Sequence, residues 1–432
     1  MKYDNKTNAQ SDGQKMLNKI YSLDLFMLSL LILSLPSLEA PKHIFLVGYL
    51  ITRTCIEIAE INLKKVILSY WDYIFILIIL TALLSTIYAG MPNLMGKGNL
   101  EEWKGYRVLL TAILTGWFLS RSNYTADQYN GLFKFIIIGA IPPLLWGLYE
   151  YLVLQTKSSL ELHSVGHVNH SAIYLVMIFG ATLGWLLNNL CNFKKKISTS
   201  NSKQISLAFL SFLFFLSIIL GQSRGAYLFA TLLSILIFFT LSKNNTIKIT
   251  GILSLVTIIS FTLFFKAGVV EKQITNQRDN NVLAFRDKVW NVSFEASRFS
   301  PLFGIGMSNW HFISLDHLKK SVEARQGNFN PNDYGFPGHS HNLYLTALVE
   351  RGLVGLFVTL LFMAAWLTDL FKTYAWTKKD NIFSNLWVGS LSAWVTIFGI
   401  GFVNTTFHHE HGILACLFLG LYLGYKRKFL KT

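Results

Sequence analysis

Long apolar segments recur along the whole 432-residue chain, and they constrain its fold more than any other feature. A helix that crosses a bilayer needs about 20 mostly apolar residues, within a range of roughly 17 to 25. Twelve segments approach this length: 20–36, 42–59, 68–89, 106–120, 131–154, 170–191, 205–221, 225–241, 247–267, 352–371, 383–403 and 411–425. The sequence therefore predicts an all-α, polytopic integral membrane protein with about twelve transmembrane helices.

The composition supports a membrane protein. Charged residues make up 14% of the chain, whereas soluble domains contain about 25%. The three cysteines (Cys55, Cys191 and Cys416) are far apart in sequence, so they predict neither a disulfide framework nor a metal site.

Basic loops predict how the chain is oriented. The net charge of +15 would suggest nucleic acid as a partner of a soluble protein. No basic segment carries the signature of a nucleic-acid fold, so we expect no such partner. Basic residues instead concentrate in the cytoplasmic loops of membrane proteins. The N-terminal tail, the C-terminal "YKRKFLKT" and the loops after the second, sixth, eighth and tenth segments are basic, which predicts that both termini are cytoplasmic.

One connection is much longer than the others. Residues 268–341 lie between the ninth and tenth segments, and the parity of the segments places them outside the cytoplasm. Long loops in compact proteins are usually functional. Spaced aromatic residues and helical patterning predict short helices in this loop, packed on a single membrane domain that spans residues 1–432.

Histidines mark the predicted outer face. His339 and His341 precede the tenth segment, and His167 and His170 precede the sixth. Each could be a surface or capping residue, but imidazole can also remove a proton near neutral pH. Together with "HHEH" at 408–411, these residues also resemble metal-ligand clusters. No carboxylate motif accompanies them, so we predict no metal and no other cofactor.

Arginines near the same face are candidate anion ligands. Arg224 lies in a tight turn, "GQSRG", between the seventh and eighth segments. It could be a snorkelling residue at a helix end, but a guanidinium group also binds phosphate bidentately. Arg286 stands four residues before Trp290, on the same face of a predicted helix. Arg298 precedes the turn "FSPLFGIG". The remaining arginines of the loop are expected to be surface charges (Arg278 and Arg325).

The spacing around the tenth segment resembles a family signature. His341-Asn342, nine residues, Gly352, two residues, Gly355, three residues and Thr359 resemble the pattern of O-antigen ligases, membrane enzymes of the Wzy_C superfamily. His339 does not fit this pattern, because Glu350 would then stand where glycine is needed. The resemblance extends to the twelve-segment topology, the single large loop, "QSRG", "FRxxxW" and "GHVNHSAIYL".

The resemblance implies a GT-C-like fold and an inverting glycosyl transfer. O-antigen polysaccharide would leave undecaprenyl pyrophosphate and join a sugar hydroxyl of lipid A-core, at the periplasmic face of a Gram-negative inner membrane. His341 would be the base, and Arg224 and Arg286 would stabilise the leaving diphosphate. The expected substrate contacts are His167, His170, Arg298, Asn342, Trp290 and His339. Loop aromatics such as Trp310 could stack on sugars, and the glycines of the signature (Gly352 and Gly355) would permit close helix packing.

Three alternatives remain. An O-antigen polymerase of the same superfamily tends to use two sizeable periplasmic loops, whereas this chain has one. A protein O-oligosaccharyltransferase usually carries a longer C-terminal region. A transporter would need ionisable residues deep in its spans, and the candidates lie near predicted segment ends (Asp24, Glu57, Glu60 and Asp72).

Overall fold

The chain folds into an assembly of helices. The computed structural model describes residues 4–430 apart from 64–67, 89–99, 164, 192–200, 243, 265–267, 269, 272–273 and 276–284. Within these described residues there is no β-strand, and the α-helices are α1 (Asp4–Ser34), α2 (Glu39–Leu63), α3 (Tyr70–Ile87), α4 (Leu100–Ser120), α5 (Ala126–Gly139), α6 (Ile141–Leu152), α7 (Val168–Cys191), α8 (Asn201–Leu220), α9 (Arg224–Leu241), α10 (Asn245–Phe264), α11 (Arg286–Ala296), α12 (Leu315–Glu323), α13 (Leu343–Thr373), α14 (Asn381–Trp394) and α15 (His409–Phe429). A π-helix, Val395–Gly399, continues α14.

The predicted apolar segments lie on helices, one of them (131–154) on two, and the helices differ in length and in apolar character. Among the described residues, eight helical stretches are long and apolar enough to cross it. They are Leu17–Ser34, Tyr70–Ile87, Ala126–Leu152, Val168–Leu190, Asn201–Leu220, Arg224–Leu241, Leu343–Lys378 and Asn381–Gly399. The protein is therefore an all-helical, multi-pass membrane protein. The other four predicted spans lie on α2, α4, α10 and α15, and the count of twelve stays a prediction.

The helices alternate in direction, so their ends gather at two opposite ends of the bundle. At one end, Ser223 before α9 donates to Asn169 of α7 over 3.0 Å, and the N–H of Leu343 donates to Gly401 over 2.7 Å. We call this the site end, formed by the first turns of α7, α9, α13 and α15. At the other end, Tyr374 after α13 donates to the carbonyl of Thr240 in α9 over 2.7 Å.

Helix α15 packs closely on α4 because glycines face each other. A Cβ added to Gly420 would lie 2.8 Å from the carbonyl oxygen of Gly116, and one added to Gly116 would lie 3.0 Å from that of Cys416. Small residues let helix backbones approach in this way. The contact holds the polar N-terminal turn of α15 beside the N-terminal half of α4 and the rest of the bundle.

A network of ion pairs explains the charges in the second apolar segment. Arg53, which is fully buried, lies 2.8 Å from Glu57 and 3.7 Å from Asp24. Arg121 forms ion pairs with both Glu57, at 2.9 Å, and Asp72, at 2.8 Å. Buried charges are tolerated when they are paired and hydrogen-bonded. These contacts connect α1, α2, α3 and the residue that follows α4. Of the carboxylates that a transporter would need, arginines thus engage Asp24, Glu57 and Asp72, while Glu60 accepts a hydrogen bond from Asn123 over 3.1 Å.

The described part of the long loop has its own apolar core, which continues into α13. Trp310 is almost fully buried and its indole N–H donates to Ser293 over 3.1 Å. Val349 of α13 belongs to the same cluster, together with Val292 and Leu318. Trp310 is thus a core residue of the loop rather than an exposed platform for a sugar.

Gly352 interrupts α13, and the backbone of the long loop packs against it. Its φ of +67° and ψ of −167° are not helical, and a Cβ at this position would overlap the backbone of Leu302. The freed N–H groups of Leu353 and Val354 donate to Pro301 at 2.8 Å and Leu302 at 3.2 Å. Our expectation that Gly352 permits close packing between helices was wrong, since the backbone that approaches it belongs to the loop.

Candidate functional site

The turn before α13 fixes the direction of the His341 side chain. His341 has a φ of +49°, a conformation that costs a residue with a side chain on the order of 1–3 kcal/mol. The buried hydroxyl of Ser340 donates to the carbonyl of Asn342 over 2.7 Å and accepts the Asn342 N–H over 3.2 Å. Two hydrogen bonds across the strained residue therefore hold it in place.

Asn342 serves as the N-cap of α13. Its side-chain oxygen accepts the N–H groups of Tyr344 and Leu345, both at 2.9 Å. Its amide nitrogen donates to the carbonyl of Phe402 over 2.9 Å. Such capping satisfies the orphan donors of the first helical turn. The contacts of Asn342 position the turn that carries His341, while its predicted contact with a substrate stays a prediction.

His341 and His339 form a pair of half-buried imidazoles whose ring centroids are 4.0 Å apart. Burial lowers the pKa of His341 to about 4, with further lowering by His339 and the positive charge of Arg286, while a hydrogen bond with Asn404 opposes the shift. Its Nδ1 is buried and makes no hydrogen bond with any residue in the described part of the chain. The ring is therefore neutral near pH 7 and can accept a proton.

Arg286 lies within electrostatic reach of this imidazole, and Arg224 lies within reach of Arg286. Arg286 begins α11, and burial lowers its pKa together with the positive charge of Arg224. Arg224 begins α9, where Ser223 ties the turn to α7. Two guanidinium groups that repel each other gain free energy when an anion binds between them. The structure thus brings together the three residues predicted to be catalytic.

A second group of imidazoles extends the site end. The ring centroid of His170 lies 5.5 Å from His167, 4.9 Å from His408, 5.8 Å from His409 and 5.1 Å from His411. The predicted site residues of α7 therefore meet "HHEH", which sequence reasoning treated only as a possible metal cluster. The shared membrane face was the only sequence signal for this contact.

Metal binding is not indicated by the geometry of the described side chains. Among them, no three His, Cys, Asp or Glu residues are arranged so that they could hold a metal ion. The absence of a metal from the reaction stays a prediction.

The remaining predicted contacts lie on α11 and just after it. Trp290 is half-buried, and its indole N–H makes no hydrogen bond within the described residues. Arg298 is exposed and lies 3.8 Å from Glu295, so its known contact gives no support to a role in binding. Arg325 forms a two-pronged pair with Glu295 at 2.8 and 2.7 Å, in line with a structural role. The predicted surface position of Arg278 lies outside the described residues.

The fold and the site define a class: a multi-pass, all-helical membrane protein with basic and imidazole groups gathered at one end of the bundle. Residues 209–360 match the family model described as O-Antigen ligase, Wzy_C. The resemblance to the O-antigen ligase family is thereby confirmed, and members of this family are glycosyltransferase-like membrane enzymes. The matched segment contains Arg224, Arg286 and His341. No curated protein matches the chain.

Proposed function

We propose that the protein is an O-antigen ligase of lipopolysaccharide biosynthesis. It transfers O-antigen polysaccharide from undecaprenyl pyrophosphate to a sugar hydroxyl of lipid A-core, with inversion at the anomeric carbon. The observation that carries the proposal is one neutral imidazole, His341, within electrostatic reach of the Arg286 guanidinium group, which is in turn within reach of Arg224. A base and anion-stabilising groups are what displacement of a diphosphate by a hydroxyl requires.

His341 is assigned as the general base. Its imidazole takes the proton of the acceptor hydroxyl while that oxygen attacks the anomeric carbon from the side opposite the diphosphate. The bond from carbon to the diphosphate oxygen breaks, and its electron pair stays on the leaving group. A pKa of about 4 makes the imidazole a weak base in the substrate-free site. A diphosphate beside Arg286 offsets the positive charge that lowers this pKa, so basicity increases when the donor is bound.

Arg286 and Arg224 are assigned to the diphosphate. Negative charge grows on the leaving group as the glycosidic bond breaks, and fixed donors in a site that excludes water stabilise it strongly. Removal of one such donor costs on the order of 3 kcal/mol. This positive charge comes from the protein itself, so the proposal includes neither a metal nor another cofactor.

The other site residues are assigned to the saccharides. His167, His170 and His339 present imidazole N–H groups to sugar hydroxyls, and Trp290 offers an aromatic surface on the helix that carries Arg286. Asn342 contributes indirectly, because it caps α13 and so holds the turn that carries His341. The site end faces the periplasm of a Gram-negative inner membrane, with both termini in the cytoplasm. The loop 268–341 packs on a single membrane domain.

A deletion strain tests the proposal against its nearest alternative. Loss of the ligase leaves full-length O-antigen attached to its lipid carrier, and lipopolysaccharide lacks long chains. Loss of an O-antigen polymerase instead leaves lipid carriers with single repeats. Mass spectrometry of the lipid-linked pool distinguishes the two outcomes, and accumulation of single repeats would replace the ligase by a polymerase.

A further inference from the structure

A separate cavity lies beside the paired imidazoles. It has a volume of about 370 Å³ and is lined by residues of α4, the loop, the first turns of α13 and the segment before α15. Pockets for small molecules have volumes of roughly 300–1,000 Å³. Among its described lining residues are His339 and Thr346, but neither Arg224 nor Arg286. The cavity is therefore distinct from the arginine pair assigned to the donor.

The fixed charges of this cavity favour an anion. Lys104 contributes an exposed ammonium group from α4, and Arg351 contributes a guanidinium group from α13. The Arg351 side chain is oriented by Thr359, whose hydroxyl accepts a hydrogen bond over 3.0 Å. One carboxylate, that of Glu350, also lines the cavity and accepts a hydrogen bond from the backbone of Ser308. Among the described lining residues, the ammonium and guanidinium groups thus outweigh one carboxylate that is already engaged.

Polar and apolar walls suit a sugar. Ser308 offers a hydroxyl group, and Thr346 and Thr405, whose hydroxyls are 3.2 Å apart and hydrogen-bonded to each other, add polar surface. Val108 and Phe407 supply apolar surface. Ligand pockets combine apolar walls with a few polar groups that fix orientation. The cavity reaches His339, whose ring centroid is 4.0 Å from that of His341. A saccharide in the cavity can therefore place a hydroxyl group near His341.

We infer that this cavity binds the acceptor saccharide, and that Lys104 and Arg351 bind a phosphate group carried by that saccharide. The inference rests on the proposed function, because it takes His341 as the base. It separates the two substrates in space: the donor diphosphate lies at Arg224 and Arg286, the acceptor phosphate lies at Lys104 and Arg351, and His341 stands between them.

The test compares two acceptors in a transfer assay with purified protein and lipid-linked donor. One acceptor is intact lipid A-core, and the other is the same glycolipid after its core phosphates have been removed. Lys104→Gln is expected to raise the KM for the phosphorylated acceptor about tenfold, since a charge-assisted hydrogen bond is lost. The KM for the dephosphorylated acceptor and the KM for the donor should stay within about twofold of the wild type.

Two further variants sharpen the test. Arg351→Gln should repeat the effect of Lys104→Gln, and because Arg351 lies inside a helix it is compared at matched abundance of folded protein. Lys104 has an exposed side chain, so its variant gives a result that does not depend on a core residue. Lys319→Gln is the control, since this exposed lysine of α12 lies 3.9 Å from Glu323 and lines no part of the described cavity wall.

The outcomes separate this inference from the proposed function. An equal rise in KM for both acceptors, an increase in the donor KM, or no change in either would overturn the acceptor-phosphate site. The proposed function fails in a different way: wild-type protein would then transfer no polysaccharide to either acceptor.

Discussion

At the scale of single residues, backbone geometry distinguishes two neighbouring imidazoles. His341 is held at a positive φ by hydrogen bonds between Ser340 and Asn342, whereas His339 lines the cavity beside α4. We expect His341→Gln to lose a factor of about a hundred to ten thousand in transfer rate, because an amide cannot accept the proton. His339→Ala should lose less than about tenfold. Rates at matched membrane abundance check this, and a more damaged His339 variant would move the base to His339.

The pH dependence follows from the same imidazole. Transfer needs the neutral form of His341, and burial lowers its pKa to about 4 in the free protein. The value of kcat/KM reports groups of the free enzyme, so it should fall only as the pH decreases through about 4. The acid limb of kcat should lie at higher pH, since bound diphosphate raises the pKa. Profiles measured with saturating and limiting donor test both statements; an acid limb of kcat/KM near pH 6.5 would contradict this assignment.

The arginines should not tolerate lysine. Arg224→Lys and Arg286→Lys keep the charge but lose the planar pair of donors that grips a diphosphate. We expect each to lower the transfer rate by roughly a hundredfold, which corresponds to about 3 kcal/mol. Arg325→Lys is the matched control, because Arg325 pairs with Glu295 within the loop and is assigned to neither substrate. Its transfer rate at matched abundance of folded protein should therefore stay near that of the wild type. Equal loss in all three variants would indicate a general effect on folding.

At the scale of elements, the length of the apolar segments predicted where helices lie, but it did not predict where those helices are interrupted. The segment predicted at 131–154 is divided at Ala140 into α5 and α6, where Pro142 and Pro143 follow. Helix α13 begins at Leu343, nine residues before the predicted segment, because the Asn342 cap starts it ahead of the charged pair Glu350-Arg351. A search for apolar segments excludes a helical turn that contains charged residues such as Glu350 and Arg351, although in the fold the loop packs against this turn.

The interruption at Gly352 leads to a stability prediction. Gly352→Ala places a Cβ against the backbone of Leu302 at a positive φ, so unfolding in detergent should become easier by at least roughly 1–3 kcal/mol. Gly131→Ala is the control, because no atom lies within 4 Å of its added Cβ in α5, and alanine favours a helix by about 0.5–1 kcal/mol over glycine. Thermal unfolding of the two purified variants measures the difference. Equal melting temperatures would mean that the loop does not dock at Gly352.

At the scale of the whole molecule, the order of the helices assembles a site that no local pattern contains. His170 and His408 are distant in sequence, yet their ring centroids are 4.9 Å apart, because α7 and α15 begin at the same end. The count of apolar segments predicted that His170 and His408 would lie at the same face of the membrane. Their contact, and the electrostatic coupling of Arg286 with Arg224, depend on helix packing and on the docking of the loop, which sequence spacing does not specify.

The direction of insertion is the last prediction, and basic residues decide it. Lys and Arg concentrate in cytoplasmic loops. Among the described residues, Lys428 lies at the end of α15 away from the site end, where it donates to the carbonyl of Asn123. In a protein whose cysteines are replaced by alanine, a cysteine at Asn328 should react with a membrane-impermeant maleimide added to whole cells with a permeabilised outer membrane. One at Asn201 should react only after the inner membrane is opened. Both positions are exposed, so accessibility does not bias the comparison. Labelling of Asn201→Cys from outside, with protection of Asn328→Cys, would invert the orientation and place the site end in the cytoplasm.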